Sequence, residues 1–218
     1  MGYYTHDEAA EEVERDLEGN WHGAGRYRIR FGDGGQSYDP VWYDSPEELA
    51  DDLLSAYGDA TETHLPYVEA LPSKAEFRAR REALGLSQTD VAEEVFVQTR
   101  TVKRWEDPTS DYWPTDDAWE YLEDCETDFE KAVNEAAGIV KKTAKDRGKL
   151  PKTVTFTYWR TQQQYDELRG DGGRFGMANA IARKTAERVR ELGCEPRLEY
   201  PESGANIYHE AARDLGAE

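Results

Sequence analysis

The chain is poor in the residues from which metal centres, disulfide frameworks and nucleophilic active sites are built. Two cysteines, Cys125 and Cys194, occur in 218 residues. That is too few for a disulfide scaffold or a cysteine-based zinc site, and it points to free thiols in a cytoplasmic setting. The four histidines, His6, His22, His64 and His209, are scattered, with no His-x-x-His or His-Glu-x-x-His spacing. No Gly-x-Ser-x-Gly, phosphate-loop or dinucleotide fingerprint is present. No apolar run approaches the ~20 residues of a membrane helix, and the acidic stretch 1–18 lacks the apolar segment of a secretory signal. The expectation is a soluble protein that is not an enzyme, needs neither cofactor nor metal, and does not enter a membrane.

Basic residues are also scarce. Lys and Arg total 27 against 46 Asp and Glu, a net charge of −19, which taken whole argues against a polyanionic partner. The distribution changes that argument. Residues 1–72 hold 17 acids and 4 bases, a net of −13, whereas residues 74–104 hold 5 acids and 7 bases, a net of +2. Screening by salt beyond ~8–10 Å leaves local charge to decide binding.

Periodicity divides the chain into three segments and gives an α+β fold. Residues 1–70 read as a small acidic α+β domain. A helix runs over 5–17 with Thr5 as its cap, and a strand of alternating polarity over 26–31. A glycine turn at 32–35 and a second strand at 41–43 follow. Ser45-Pro46-Glu47-Glu48 opens a helix that reaches about Tyr57. Residues 72–148 are helical throughout, with a last helix over 127–145 that places acids early and lysines late. Residues 151–218 open on the β-branched strand 153–159. A short helix at 161–168, a longer one at 176–192, a strand at 197–200 and a weak terminal helix follow. This strand-helix-helix-strand segment is the candidate for dimerisation.

The segment 77–106 carries the chemistry. Leu84-Gly85-Leu86 ends one helix at a glycine; Ser87 caps the next, with Asp90 three residues on as capping-box partner. Val91, Ala92 and Val95 form the buried face of that helix, and Ala92 is small enough for a close helix crossing. After Phe96-Val97 a further helix begins, with Val102 and Trp105 directed inward. Thr99, Arg100, Lys103 and Arg104 are left on its exposed face. Two helices joined by a tight turn, the second with an exposed basic face, suit insertion into a DNA major groove, where arginine forks onto guanine O6 and N7.

The residues 84–88, Leu-Gly-Leu-Ser-Gln, and 100–106, Arg-Thr-Val-Lys-Arg-Trp-Glu, with Pro114 beyond them, resemble the Cro/repressor-type (XRE) helix-turn-helix family over about 73–135. The resemblance implies a DNA-binding domain in which Gln88 makes a phosphate or base contact. It places Gln98, Thr99, Arg100 and Arg104 at base-contacting positions and Lys103 on a phosphate. It also implies a structural salt bridge between Arg81 and Glu106, and a core role for Trp105. One departure stands out: Phe96 occupies the turn position where the family has glycine, so the turn is either wider or strained. Members act as homodimers on palindromic operators, which doubles the contacts of a small module. The order of elements over 73–200 is similar to anti-CRISPR-associated phage repressors. The function implied is an autoregulatory, sequence-specific repressor encoded by a phage or mobile element, binding a double-stranded DNA operator as a homodimer.

The acidic first segment supports a second reading, a bifunctional inhibitor. Carboxylates such as Glu47, Glu48, Asp51 and Asp52 would then mimic DNA phosphates and occupy a CRISPR or restriction effector, while the helix-turn-helix represses the protein's own operon. The arrangement of these acids on one face or many discriminates this reading from simple solvation.

Overall fold

The computed structural model describes residues 5–32, 37–61 and 64–201. The expected glycine turn beyond Gly32, the weak terminal helix and His209 lie outside them. The architecture is mixed α+β, as expected, with eight α-helices and five strands among the described residues. It divides into two compact units, Met1–Ser73 and Lys74–Glu218. No helix among the described residues is long and apolar enough to cross a membrane.

The first unit contains α1 (His6–Asn20), β1 (Gly25–Phe31), β2 (Val41–Tyr43), α2 (Pro46–Ala56), a 3-10 turn at Tyr57–Asp59 and β3 (Pro66–Ala70). Both helices start as their sequences dictate. The Thr5 hydroxyl accepts from the Glu8 N–H, and the Glu8 carboxylate accepts from the Thr5 N–H at 2.9 Å. Those bonds hold the Glu8 carboxyl below its ordinary range. Ser45 caps α2, with Pro46 at its first position. Helix α1 runs three residues beyond the expected Leu17, where the Asn20 amide bonds back to the Asp16 carbonyl and carboxylate.

The sheet is antiparallel in the order β2-β1-β3. Strand β3 was not expected: it is five residues long, opens on a proline, and fully buries only Pro66 and Val68. It is tied to α1 by the Val68 N–H, which donates to Asp16 Oδ2 at 2.7 Å. Burial raises the Asp16 pKa even so, because the bonds from Val68 and Asn20 do not offset desolvation. Tyr27, Ile29 and Phe31 of β1, Leu49 and Leu53 of α2, and Val13 of α1 form one core.

The second unit holds α3 (Lys74–Ala83), α4 (Gln88–Glu94), α5 (Thr99–Glu106), α6 (Asp116–Arg147), β4 (Thr153–Thr157), α7 (Gln162–Leu168), α8 (Phe175–Glu191) and β5 (Glu195–Glu199). The expected helix 127–145 is only the later part of α6, a single helix of 32 residues. It begins eleven residues earlier because Thr115 precedes a first turn bearing Asp116 and Asp117, favourable charges at a helix N-terminus. Its early residues Ala118, Leu122 and Cys125 complete the core of α3–α5. Its late residue Val140 clusters with Val189 of α8 and Cys194. By spanning both clusters, α6 joins the helical middle to the C-terminal segment. The two segments separated on sequence near residue 150 therefore form one compact unit.

Strands β4 and β5 pair in parallel, Thr153 opposite Glu195 through Thr157 opposite Glu199, with α7 and α8 as the crossover that parallel pairing requires. Helix α8 is pinned beneath β4 by buried Asn179. Its amide oxygen accepts from the Trp159 N–H at 2.7 Å, and its amide nitrogen donates to the Trp159 carbonyl at 2.8 Å.

The sharpest contact in this unit joins the end of α3 to the start of α8. Gly85 adopts a left-handed φ of 73°, and a Cβ there would stand 2.3 Å from the Gly176 carbonyl oxygen. A Cβ on Gly176 would stand 2.1 Å from the Gly85 oxygen. Two glycines are needed because two backbones meet. Arg174, just ahead of α8, reinforces the contact with ion pairs to Glu93 at 2.8 Å and Asp90 at 3.5 Å on α4.

Candidate nucleic-acid interface

The site is built by α4, a turn and α5. The Ser87 N–H donates to Asp90 Oδ2 at 2.7 Å, and the Asp90 N–H donates to Ser87 Oγ at 3.1 Å. This is the capping box read from the sequence. Val91 and Ala92 are buried, with Val95 packed against them. The Val97 N–H donates to the Ala92 carbonyl at 2.9 Å, wrapping the chain around Phe96, whose φ is +55°. The strained turn is therefore the alternative adopted. Phe96 is also 96% exposed, so no packing of its ring offsets the left-handed backbone.

Helix α5 starts at Thr99 with Gln98 as N-cap. The Gln98 side chain makes no capping bond, and its carbonyl accepts from the first-turn Thr101 N–H at 2.7 Å. Val102 and Trp105 are buried as expected. Phe77 stands edge-on to both Trp105 and Trp119, with centroids 6.1 and 5.0 Å apart.

Beneath α5 lies the Arg81–Glu106 pair. Arg81 Nε donates to Glu106 Oε1 at 2.6 Å, its second terminal nitrogen donates to Oε2 at 3.0 Å, and the first donates to the Leu86 carbonyl at 2.6 Å. The two side chains are 8% and 4% exposed. This forked arrangement ties α3 to the end of α5. Gln88, expected at the interface, is half-buried, and its amide donates to Glu106 Oε2 at 2.8 Å. It is thus the third member of the buried cluster.

The cations of 74–104 sort into two groups. Arg78 is paired with Glu82, Arg80 with Glu126 and Arg81 with Glu106. Lys74 is buried, its ammonium donating to the Asp107 carbonyl at 3.0 Å and to the Ser110 carbonyl, beneath the Trp113 ring. The other three, Arg100, Lys103 and Arg104, are all exposed on α5, and none makes an ion pair among the described residues. Gln98 is exposed beside them and Thr99 is half-buried. The Arg104 guanidinium lies 5.0 Å from the centre of the exposed Tyr112 ring, which orients its plane without neutralising it.

Lys74 and Tyr112 did not stand out in the sequence. Lys74 anchors the loop after α5, and Tyr112 is carried on that loop. A lysine just before a helical apolar pattern gives no sign that it will be buried.

The carboxylates proposed as an effector surface are on α2, in the first unit. Glu47, Glu48, Asp51 and Asp52 are all exposed. Asp52 accepts a 2.7 Å bond from the Tyr43 hydroxyl, and burial, followed by this bond, raises the Tyr43 pKa. Among the described residues no group of His, Cys, Asp and Glu is arranged to hold a metal ion. The chain matches no known family model and no curated protein.

Proposed function

We propose that this protein is a sequence-specific DNA-binding repressor of the XRE type. It reads the major groove of its own operator with α5, and it acts as a homodimer in the cytoplasm of a host carrying a phage or mobile element. The observation that carries the reading is the sorting of charge. Within the basic window every cation off α5 is neutralised by a carboxylate or buried on carbonyls, and those on α5 are exposed without ion pairs. Arg100 and Arg104 supply forked donors for guanine, Gln98 and Thr99 polar groups for base edges or phosphate, and Lys103 a phosphate contact. Gln88 acts by steadying Glu106 and, if its amide turns outward, on phosphate.

A homodimer is supported by the edges of the β4-β5 sheet. The Tyr158 N–H donates to the Glu199 carbonyl and the Glu195 N–H to the Lys152 carbonyl. By strand alternation, the backbone groups of Thr153, Thr155 and Thr157 face the other way. No strand among the described residues covers them. That edge carries neither charge nor proline, while Pro196 removes a donor from the outer edge of β5. A second copy of β4 is a self-complementary partner for it.

The test is a gel shift at fixed salt with DNA from upstream of the protein's own gene. Wild type is expected to retain this DNA over competitor. Arg100→Ala and Arg104→Ala are each expected to weaken selective binding by about 1–3 kcal/mol. Absence of binding even at low salt would overturn the reading. The second reading, an inhibitor of a CRISPR or restriction effector, gains one observation: Glu47 and Asp51 flank an apolar groove.

A further inference from the structure

Helices α1 and α2 share the core of the first unit and pack side by side, leaving an open groove of about 620 Å³ between them. Its floor is apolar: Val13 and Leu17 from α1, Ala50 and Leu54 from α2, with Trp21 at one end. Its walls are acidic. Glu14 and Glu18 stand one turn apart on α1, and Glu47 and Asp51 one turn apart on α2. No cation lines it. The sole arginine of α1, Arg15, is paired with Glu12 outside it. The four acids singled out on α2 therefore do not act together. Glu47 and Asp51 border the groove, while Glu48 and Asp52 do not, and Asp52 is engaged by Tyr43.

We infer that this groove is a docking site for a basic amphipathic helix of a partner protein. This deepens the second reading above by replacing phosphate mimicry with a specific class of protein ligand. The chemistry argues against the alternatives. A nucleic acid is repelled by the carboxylates, and a small molecule would need enclosure and polar groups to orient it, whereas this trough is open. A helix with apolar residues at i, i+3/i+4 and i+7 fits the floor. Lys or Arg on both its flanks meet carboxylates spaced about 6 Å along each wall. Desolvation of the floor supplies affinity, and the two acidic rows supply orientation and selection for positive charge.

The test uses the full-length protein and a fluorescently labelled leucine–lysine amphipathic peptide of about 14 residues, roughly four turns, read by anisotropy. Glu14→Lys/Asp51→Lys changes the groove. Glu11→Lys/Glu48→Lys makes the same change of net charge on the same two helices outside it. The groove pair is expected to lower affinity at least about tenfold and the outer pair less than about twofold. A peptide of the same composition with its leucines spread around the helix is expected to bind at least about tenfold more weakly. Circular dichroism confirms that each variant is folded. Equal loss with both pairs, equal binding of the scrambled peptide, or no binding of the amphipathic peptide by wild type would each overturn the inference. Operator retention by the groove variants is expected to equal wild type, so failure here and failure of the repressor reading are separately visible.

Discussion

Breaking the Arg81–Glu106 pair should be the most destructive polar change in the second unit. In Glu106→Ala the guanidinium, 8% exposed in the intact protein, keeps its bond to the Leu86 carbonyl and a long 3.4 Å contact with exposed Glu82 but loses both bonds to its buried carboxylate. Breaking a buried pair by removing one partner costs about 3–5 kcal/mol. Arg81→Ala strands Glu106 with only the Gln88 amide and leaves the Leu86 carbonyl without its guanidinium partner, so a loss of about the same size or more is expected. For a protein of this length that corresponds to a fall in Tm of roughly 6–20 °C. The double variant removes both charges together and should lose well under the sum, with a coupling energy of about 2–3 kcal/mol. Urea unfolding of the full chain followed by circular dichroism measures all three. Lys184–Glu187, 47% and 56% exposed on the surface of α8, is the internal reference and should contribute no more than about 0.5 kcal/mol. Single losses at Arg81 and Glu106 no larger than this reference, and additive in the double variant, would refute the claim that the pair is buried and coupled.

Gly176→Ala should destabilise the second unit by at least about 1–3 kcal/mol, because the new methyl meets backbone and not a movable side chain. Gly176 has no left-handed φ, so its loss isolates the steric term, and unchanged denaturation would refute the close approach. Phe96→Gly should raise stability by about 0.5–1 kcal/mol, since relief of the left-handed backbone exceeds the loss of a ring that packs on nothing; a lower denaturation midpoint would show that Phe96 has a folded-state partner. Tyr112→Ala removes the ring beneath Arg104 and should weaken operator binding by about 0.5–1 kcal/mol with stability unchanged, measured by the same gel shift.

Local grammar was legible; what depended on distant partners was not. Ser87 with Asp90, Ser45 with Pro46, and Thr5 as a cap announced their helices because a cap and the turn it starts are three residues apart or fewer, and the structure adds Glu8 as the partner of Thr5. The inward face of α4 and α5 was legible for the same reason, as 3.6-residue periodicity. Strand β3 escaped because a short strand opening on proline carries little alternation; it exists because β1 had an unpaired edge and Asp16 a carboxylate to offer Val68. The start of α6 escaped because its apolar spacing changes partners midway, from the α3–α5 core to α8. The Gly85–Gly176 contact was half visible: Gly85 read as a helix end, but only the fold brings a second glycine against it.

The net charge of −19 is where a whole-chain argument and a residue-level argument about the proposed DNA binding disagree, and the pairing pattern favours the second. Coulomb attraction to phosphate falls off within about a Debye length, so what matters is which cations are left uncompensated within that reach. The carboxylates nearest the basic window are spent on its structural arginines: Glu82 on Arg78, Glu126 on Arg80, Glu106 on Arg81. Two of the three acids of α4 are engaged as well, Asp90 and Glu93 both facing Arg174. Acidity therefore neutralises the scaffold and spares α5. Replacing the carboxylate partners of Arg78 and Arg80 by glutamine, Glu82→Gln/Glu123→Gln/Glu126→Gln, should free two scaffold arginines. Non-specific DNA affinity and its salt dependence should rise, the slope of log K against log salt steepening by up to about two, with little change in the preference for operator. A gain in operator preference instead would mean that recognition extends onto α3, and that α5 is not the sole reading surface.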